Sequence, residues 1–319
     1  MVMKKRLNLL LSLSLLLSFG LLAQQDAQYT QFMYNKLGFN PAFAGAVESA
    51  NVQAVFRQQW LGLDDAPSSQ IATFNTPITS SGTGVGARLS RITIGLEQQY
   101  NVEGSYAYRF PIGRGTRLGL GVSASARYFN IEYQNANPIQ GGGVDQAIPG
   151  VGESKVVPNF GAGVYIDGPA YYVGISVPRL LENNIDLGDE ETIISREARH
   201  FYFMGGFKFP LSEKLTLEPQ LLAKYVNGAP FDADLNLTAH VGDNLFVGAS
   251  YRLGGNGLGE SASALFGLYL SEHLSMCLAY DIGLSDLNTT QSGSVEMVVA
   301  YSIGGRSEGG SVVDPRDLR

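Results

Sequence analysis

Three histidines, His200, His240 and His273, and one cysteine, Cys277, are the whole supply of imidazole and thiol in this chain. An acyl-transfer centre needs a nucleophile within hydrogen-bond reach of such a base. Residues 50–303 contain no Gly-x-Ser-x-Gly elbow to present a serine. His240 falls at an inward position of its segment. It leaves room for a Ser–His pair, against the simpler reading of a hydrogen-bonded wall histidine. No His-x-x-x-His pair occurs, so no catalytic metal and no cofactor are expected. A single cysteine also excludes an intramolecular disulfide and a Cys-based zinc site. Asp186, Asp189, Glu190 and Glu191 read as a solvated acidic loop, with calcium binding as the sharper alternative. Gly82-Thr-Gly-Val-Gly86 and Gly141–Gly143 lack the Lys and helix of a phosphate loop and read as strand and loop glycines.

The elements that would position these groups are strands. Arg117 to Tyr128 places Leu118, Leu120, Val122, Ala124, Ala126 and Tyr128 on one face, and Arg117, Gly119, Gly121, Ser123, Ser125 and Arg127 on the other. Strict period two with two unlike faces is a strand between two unlike solvents. Fourteen such runs fill residues 50–303, near 50–60, 68–76, 83–92, 98–110, 116–131, 157–166, 170–180, 200–210, 214–226, 233–241, 244–253, 261–271, 273–283 and 294–303. Even-to-odd connections are short, such as Gly242-Asp243, whereas Glu132–Val156 and Leu181–Arg199 are long. Short turns at one end and long loops at the other suit an outer-membrane barrel better than a soluble sandwich or propeller. The expected fold is all-β, a transmembrane antiparallel barrel of about 14 strands with a short N-terminal periplasmic or plug segment.

Composition agrees. Charged residues make up 16 % of the chain and mean hydropathy is +0.02, which excludes intrinsic disorder. A net charge of −7 argues against nucleic acid as a partner. Residues 1–23 join Lys4, Lys5 and Arg6 to an apolar run and end at Ala23, so they are expected to be a cleaved signal peptide. The expected division is then 1–23 leader, 24–49 N-terminal segment, 50–303 barrel and 304–319 flexible tail.

In a barrel the apolar faces meet outer-membrane lipid and the polar faces line the lumen. Glu103, Arg109, Arg117, Arg127, Lys208, Glu218, Lys224, Arg252, Asp281 and Glu296 are the inferred inward charges. Their mixed signs suit a salt-bridged interior better than an ion-selective pore. Tyr106, Tyr108, Phe110, Tyr128, Phe129, Phe207, Phe209 and Tyr225 fit interfacial girdles.

Residues 26–45 do not alternate. Gln25, Asp26, Gln28, Tyr29, Thr30, Gln31, Phe32, Met33, Tyr34 and Asn35 precede Asn40, Pro41, Ala42, Phe43, Ala44 and Gly45. This segment must dock, either inside the lumen or across the periplasmic mouth. Together with Arg57-Gln58-Gln59-Trp60, Tyr106 to Phe110, Tyr172 to Ser176 and Tyr280-Asp281, it resembles the PorP/SprF family across the mature chain. Ser90 to Gly95 and Ser294 to Glu296 depart from the family's usual blocks.

The resemblance implies an outer-membrane component of the type IX secretion and gliding system of Bacteroidetes. It implies a non-enzymatic role: docking or anchoring the C-terminal targeting domain of a specific secreted cargo or adhesin at the cell surface. Other type IX secretion components are the further implied partners. It also singles out Tyr29, Gln31, Tyr34, Asn35, Asn40, Pro41, Ala44 and Gly45 as candidate partner-binding positions. The competing reading is a passive outer-membrane channel or hydrophobic-solute transporter. Long surface loops usually carry function, so the cargo is expected at Glu132–Val156 and Leu181–Arg199.

Overall fold

A computed structural model describes residues 28–78, 82–133, 152–186, 196–254, 259–284 and 291–303. The expected leader and tail, Gly141–Gly143, and Asp189 to Glu191 lie outside these residues. So do most of Glu132–Val156 and residues 187–195 of Leu181–Arg199, the two long loops expected to receive cargo.

Fifteen strands form one antiparallel sheet: β1 (Ala50–Gln58), β2 (Ser68–Pro77), β3 (Thr83–Ile94), β4 (Glu97–Gly113), β5 (Thr116–Ile131), β6 (Glu153–Asp167), β7 (Tyr171–Val177), β8 (His200–Phe207), β9 (Phe209–Ser212), β10 (Leu215–Val226), β11 (Asp232–Val241), β12 (Leu245–Leu253), β13 (Gly259–Tyr269), β14 (Leu274–Gly283) and β15 (Ser294–Ile303). β1 pairs with β15, and β10 pairs with both β8 and β11, so the sheet closes on itself. Closure leaves no open edge, which is what a sheet in hydrocarbon requires. β8 and β9 are two halves of one crossing, interrupted at Lys208. Pro210 lacks an amide to donate, and the register against β10 slips between Leu215 and Thr216. The barrel therefore has fourteen crossings and one extra strand, as the alternation predicts.

Burial runs opposite to that of a water-soluble domain. Val102, Val122, Val156 and Ile175 are 59, 58, 62 and 57 % exposed, while Arg57 and Glu296 are 4 and 0 % exposed. Large apolar side chains ring the outside, and polar and charged ones fill the inside. Lipid is the solvent that makes this arrangement stable. Val122→Lys is therefore expected to destabilise the barrel by about 2–4 kcal/mol if it sits at the bilayer midplane. Equilibrium unfolding from lipid vesicles checks this, with Ser123→Ala as a lumen-side control.

Two expectations need correction. Phe129 does not join a girdle: it is 3 % exposed and packs inside against Val157 and Ile185. Tyr128 already points outward, and period two turns its neighbour inward. Arg117 shares the inward register, but it is exposed because it lies at the short-turn end, beyond the packed interior. The β3–β4 connection is also short, only Gly95-Leu96, although it lies at the long-loop end. Gly95 takes φ +57°, a left-handed conformation open to glycine at no steric cost.

Candidate functional site

The segment from Gln28 to Ser49 lies inside the barrel. It is built of three single turns, Phe32–Tyr34, Lys36–Phe39 and Pro41–Phe43. Asn40 starts the last of these: its side chain accepts from the Ala42 amide at 2.9 Å, and Pro41 has no amide that needs a partner. Thr30, Gln31, Phe32, Asn40, Ala42 and Ala44 are each at most 2 % exposed.

The upper anchor is charged. Glu296 on β15 accepts the Thr30 amide at 3.0 Å and the Gln31 amide at 2.8 Å. The Thr30 hydroxyl donates to Asp281 on β14 at 2.6–2.7 Å. Arg57 on β1 binds Asp281 at 2.7 Å and Glu296 at 3.0 Å. Arg57 is the penultimate residue of β1, so this anchor sits in the half of the barrel facing the long loops.

The middle of the segment is held by side-chain to main-chain bonds with the wall. The Asn40 side-chain Nδ2 donates to the Val164 carbonyl at 3.0 Å, and the Ser176 hydroxyl donates to the Phe39 carbonyl at 2.6 Å. At the short-turn end the Gly45 amide donates to Asn75 at 2.7 Å, and Arg109 donates to the Gly45 carbonyl at 2.8 Å while pairing with Asp167. The chain then enters β1 from that end.

Inward glycines make the seat. A Cβ on Gly121 would collide with the Ala42 and Pro41 main chain, and one on Gly84 with Gly45. These are the side-chain-free inward positions of the alternating pattern. Aromatic pairs complete the packing, with Phe39 against Tyr202 at 5.3 Å and Phe43 against Tyr165 at 5.4 Å.

Of the positions singled out by the family resemblance, Tyr29, Gln31, Asn35, Asn40, Pro41, Ala44 and Gly45 are buried and Tyr34 is half-buried, packed on Phe246 at 5.8 Å. What they touch here is the barrel's own wall. Most of the inferred inward charges are paired: Arg127 with Glu197 at 3.2 Å, Lys224 with Asp232 at 2.6 Å, Arg252 with Asp234 at 2.6 Å, and Arg88 with Glu103 at 3.9 Å. Lys208 is buried too. His240 meets Glu218 at 3.2 Å, so its nearest ionic partner is a carboxylate and not a serine. Sequence reasoning missed Arg88, Asp167, Asp232, Asp234 and Glu197 as lumen groups. For Asp232 and Asp234 the signal was present, since both share the inward parity of Asn236. Glu197 lies outside any strand and offered no such signal.

A cavity of about 100 Å³ remains between the inner segment and the wall in the long-loop half. Asn35 and Phe39 face it from the segment, and Arg88, Arg127 and His200 from the wall.

A family model described as type IX secretion system membrane protein PorP/SprF matches residues 21–301. The chain belongs to the PorP/SprF family. No curated protein matches it. Among solved structures, the PorP/SprF barrel is similar to the outer membrane protein Omp33 of Acinetobacter baumannii, with 9 % identity, TM-score 0.46, and coverage of 81 % of this chain and 100 % of that one. It is also similar to a Pseudomonas aeruginosa FadL homologue, with 11 % identity, TM-score 0.45, and coverage of 83 and 93 %. A third is the Ralstonia pickettii toluene transporter TbuX, with 11 % identity, TM-score 0.48, and coverage of 88 and 94 %. The family match and the inverted barrel together make this PorP/SprF chain an outer-membrane component of type IX secretion.

Within the PorP/SprF barrel, Lys36 is the one cation that the inner segment itself carries among the described residues. It is 1 % exposed, and its Nζ has no hydrogen-bond partner and sits 3.6 Å from the centre of the Tyr172 ring. Burial lowers its pKa from 10.5 to about 8, against the attraction of Glu218. Below pH 8 the lysine is protonated both docked and released, so the burial penalty is complete. The penalty lifts as pH rises from about 8 towards 10.5, and docking strengthens by up to about 3 kcal/mol. Protease protection of the segment is expected to rise over that window in the native protein, and to stay flat in Lys36→Met.

Proposed function

We propose that this barrel docks one specific secreted protein at the cell surface, holds it by its C-terminal targeting domain, and catalyses no reaction. The observation that carries this reading is the occupied lumen. Residues 28–49 fill the interior and are hydrogen-bonded to strands around the ring, including β2, β4, β6, β7, β14 and β15. A filled barrel is a poor conduit and a rigid platform, and rigid scaffolds present binding loops well. The long-loop mouth is then the working surface, with Gln59 to Pro67, Pro178 to Asp186, Arg196 to Arg199 and Asn227 to Phe231 among its described parts. Other type IX secretion components are its further partners.

The test is purification of the tagged protein in mild detergent, with co-purifying proteins identified and the same preparation placed in a planar bilayer. One large secreted protein at near-equal amount, with a silent bilayer, is the expected result. Steady conductance with no co-purifying protein overturns the reading in favour of a channel.

A further inference from the structure

The inner segment has a direction. β1 runs from the short-turn end to the long-loop end, and β15, β14, β13, β12 and β11 follow it in antiparallel succession. β12 and β14 therefore end, and β11 and β15 begin, at the long-loop mouth. The first described residues of the segment are bonded to those ends. Gln28 donates to Asp232, the first residue of β11, at 3.2 Å, and Arg252, next to last in β12, donates to the Tyr29 carbonyl at 3.3 Å. Thr30 reaches Asp281 and Glu296, near the same ends of β14 and β15. The last residues of the segment lie at the opposite mouth. The Ser49 and Ser302 hydroxyls are 2.9 Å apart, and Ser302 is next to last in β15. From Gln28 to Ser49 the chain thus descends from the long-loop half to the short-turn end.

The chain that precedes Gln28 has one way out. Below it the lumen is taken: Gly45 lies against Gly84, and Pro41 and Ala42 against Gly121, too closely for a Cβ between them. Sideways the sheet closes on itself. Main chain leaving through that wall would meet hydrocarbon with its amides and carbonyls unpaired. The free space beside the segment, about 100 Å³, holds a few waters and not a returning strand. What remains is the long-loop mouth, which in an outer-membrane barrel opens on the cell surface.

We propose that the segment enters the lumen from the cell-surface side, so that the residues before Gln28 are displayed at the long-loop mouth and form part of its interaction face. That face then carries Gln24, Gln25 and Asp26, the polar side chains expected at the start of the cleaved chain, beside the loops. Leader removal has to come first: a chain end still held at the inner membrane by residues 1–23 cannot also emerge outside the cell. Nothing here requires the docking reading, since a barrel without cargo would display the same chain end.

The experiment is thiol labelling of intact cells with a charged maleimide that does not cross the outer membrane. Cys277→Ser removes the only native thiol. In that background Asp26→Cys tests the chain end. Asn227→Cys, in the β10–β11 connection, marks the cell surface, and Lys214→Cys, in the β9–β10 turn, marks the periplasmic face; both positions are exposed. Asp26→Cys is expected to label on intact cells as fully as Asn227→Cys, while Lys214→Cys labels only once the outer membrane is opened. If a cysteine variant fails to assemble, an epitope inserted between Gln25 and Asp26 of the otherwise native chain gives a second readout, with antibody bound by intact cells as the expected result. Asp26→Cys labelling only in opened cells, or only after unfolding, overturns the proposal, as does an epitope that antibody reaches only in opened cells. Failure to co-purify a secreted partner would end the docking reading and leave this result standing.

Discussion

Gly121→Leu is expected to expel the 40–45 turn and turn a silent barrel into a conducting one. The cause is contact between two main chains. A Cβ at Gly121 meets the main chain of Pro41 and Ala42, and no side chain is there to swing aside. β5 cannot retreat, because it is paired along its length to β4 and β6. The inner segment must move instead, and Asn40 then loses its bond to Val164 and Gly45 its bond to Asn75. Each lost buried bond costs about 1–3 kcal/mol, so the docked state is abandoned rather than strained. Bilayer conductance should rise by about an order of magnitude, with a solvent-wide interior opening in place of a packed one. Ala124→Leu, on the outward face of the same strand, should leave the barrel silent. A Gly121→Leu protein that stays silent would mean that the turn does not close the lumen.

Arg57→Met has the second large effect. Arg57 is the common partner of Asp281 and Glu296, at 2.7 and 3.0 Å, and both carboxylates are buried. Methionine fills similar space but leaves two carboxylates facing each other away from water. Breaking a buried ion pair from one side costs about 3–5 kcal/mol, more than the pair itself contributes. Part of the loss should fall on the upper anchor, because the same carboxylates accept from Thr30 and Gln31. The expected result is a lower urea midpoint together with faster protease cleavage near Thr30. Glu296→Gln keeps an acceptor for the amides and should cost less than half as much. Equal losses in the two variants would place the stabilisation in the amide bonds rather than in the charge balance.

Different parts of this molecule were legible to different degrees. β5 was readable to its ends, 116–131, because each residue's facing depends only on its neighbours two positions away. The same rule exposes the misplacement of Phe129, since Tyr128 and Phe129 cannot both face lipid. Inward charges were readable by parity on the strands, and Glu197 was not, because it sits in a connection without a period. Glu218, His240 and Arg109 are readable as inward residues, but the pairing of Glu218 with His240, and of Arg109 with Asp167 at the edge of a turn, needs the register between strands.

The sequence by itself determined the alternating strands, their number, the lipid-facing side of each, and the family. All of these are properties of short windows or of motifs that stand in the chain as written. Only the tertiary structure decided that residues 28–49 lie within the lumen, that Gly84 and Gly121 are their seat, and that Asn35 and Arg88 share a cavity. Those facts depend on closing the barrel. A glycine on an inward face reads the same whether the space before it holds water or another stretch of backbone, and only the assembled packing distinguishes the two.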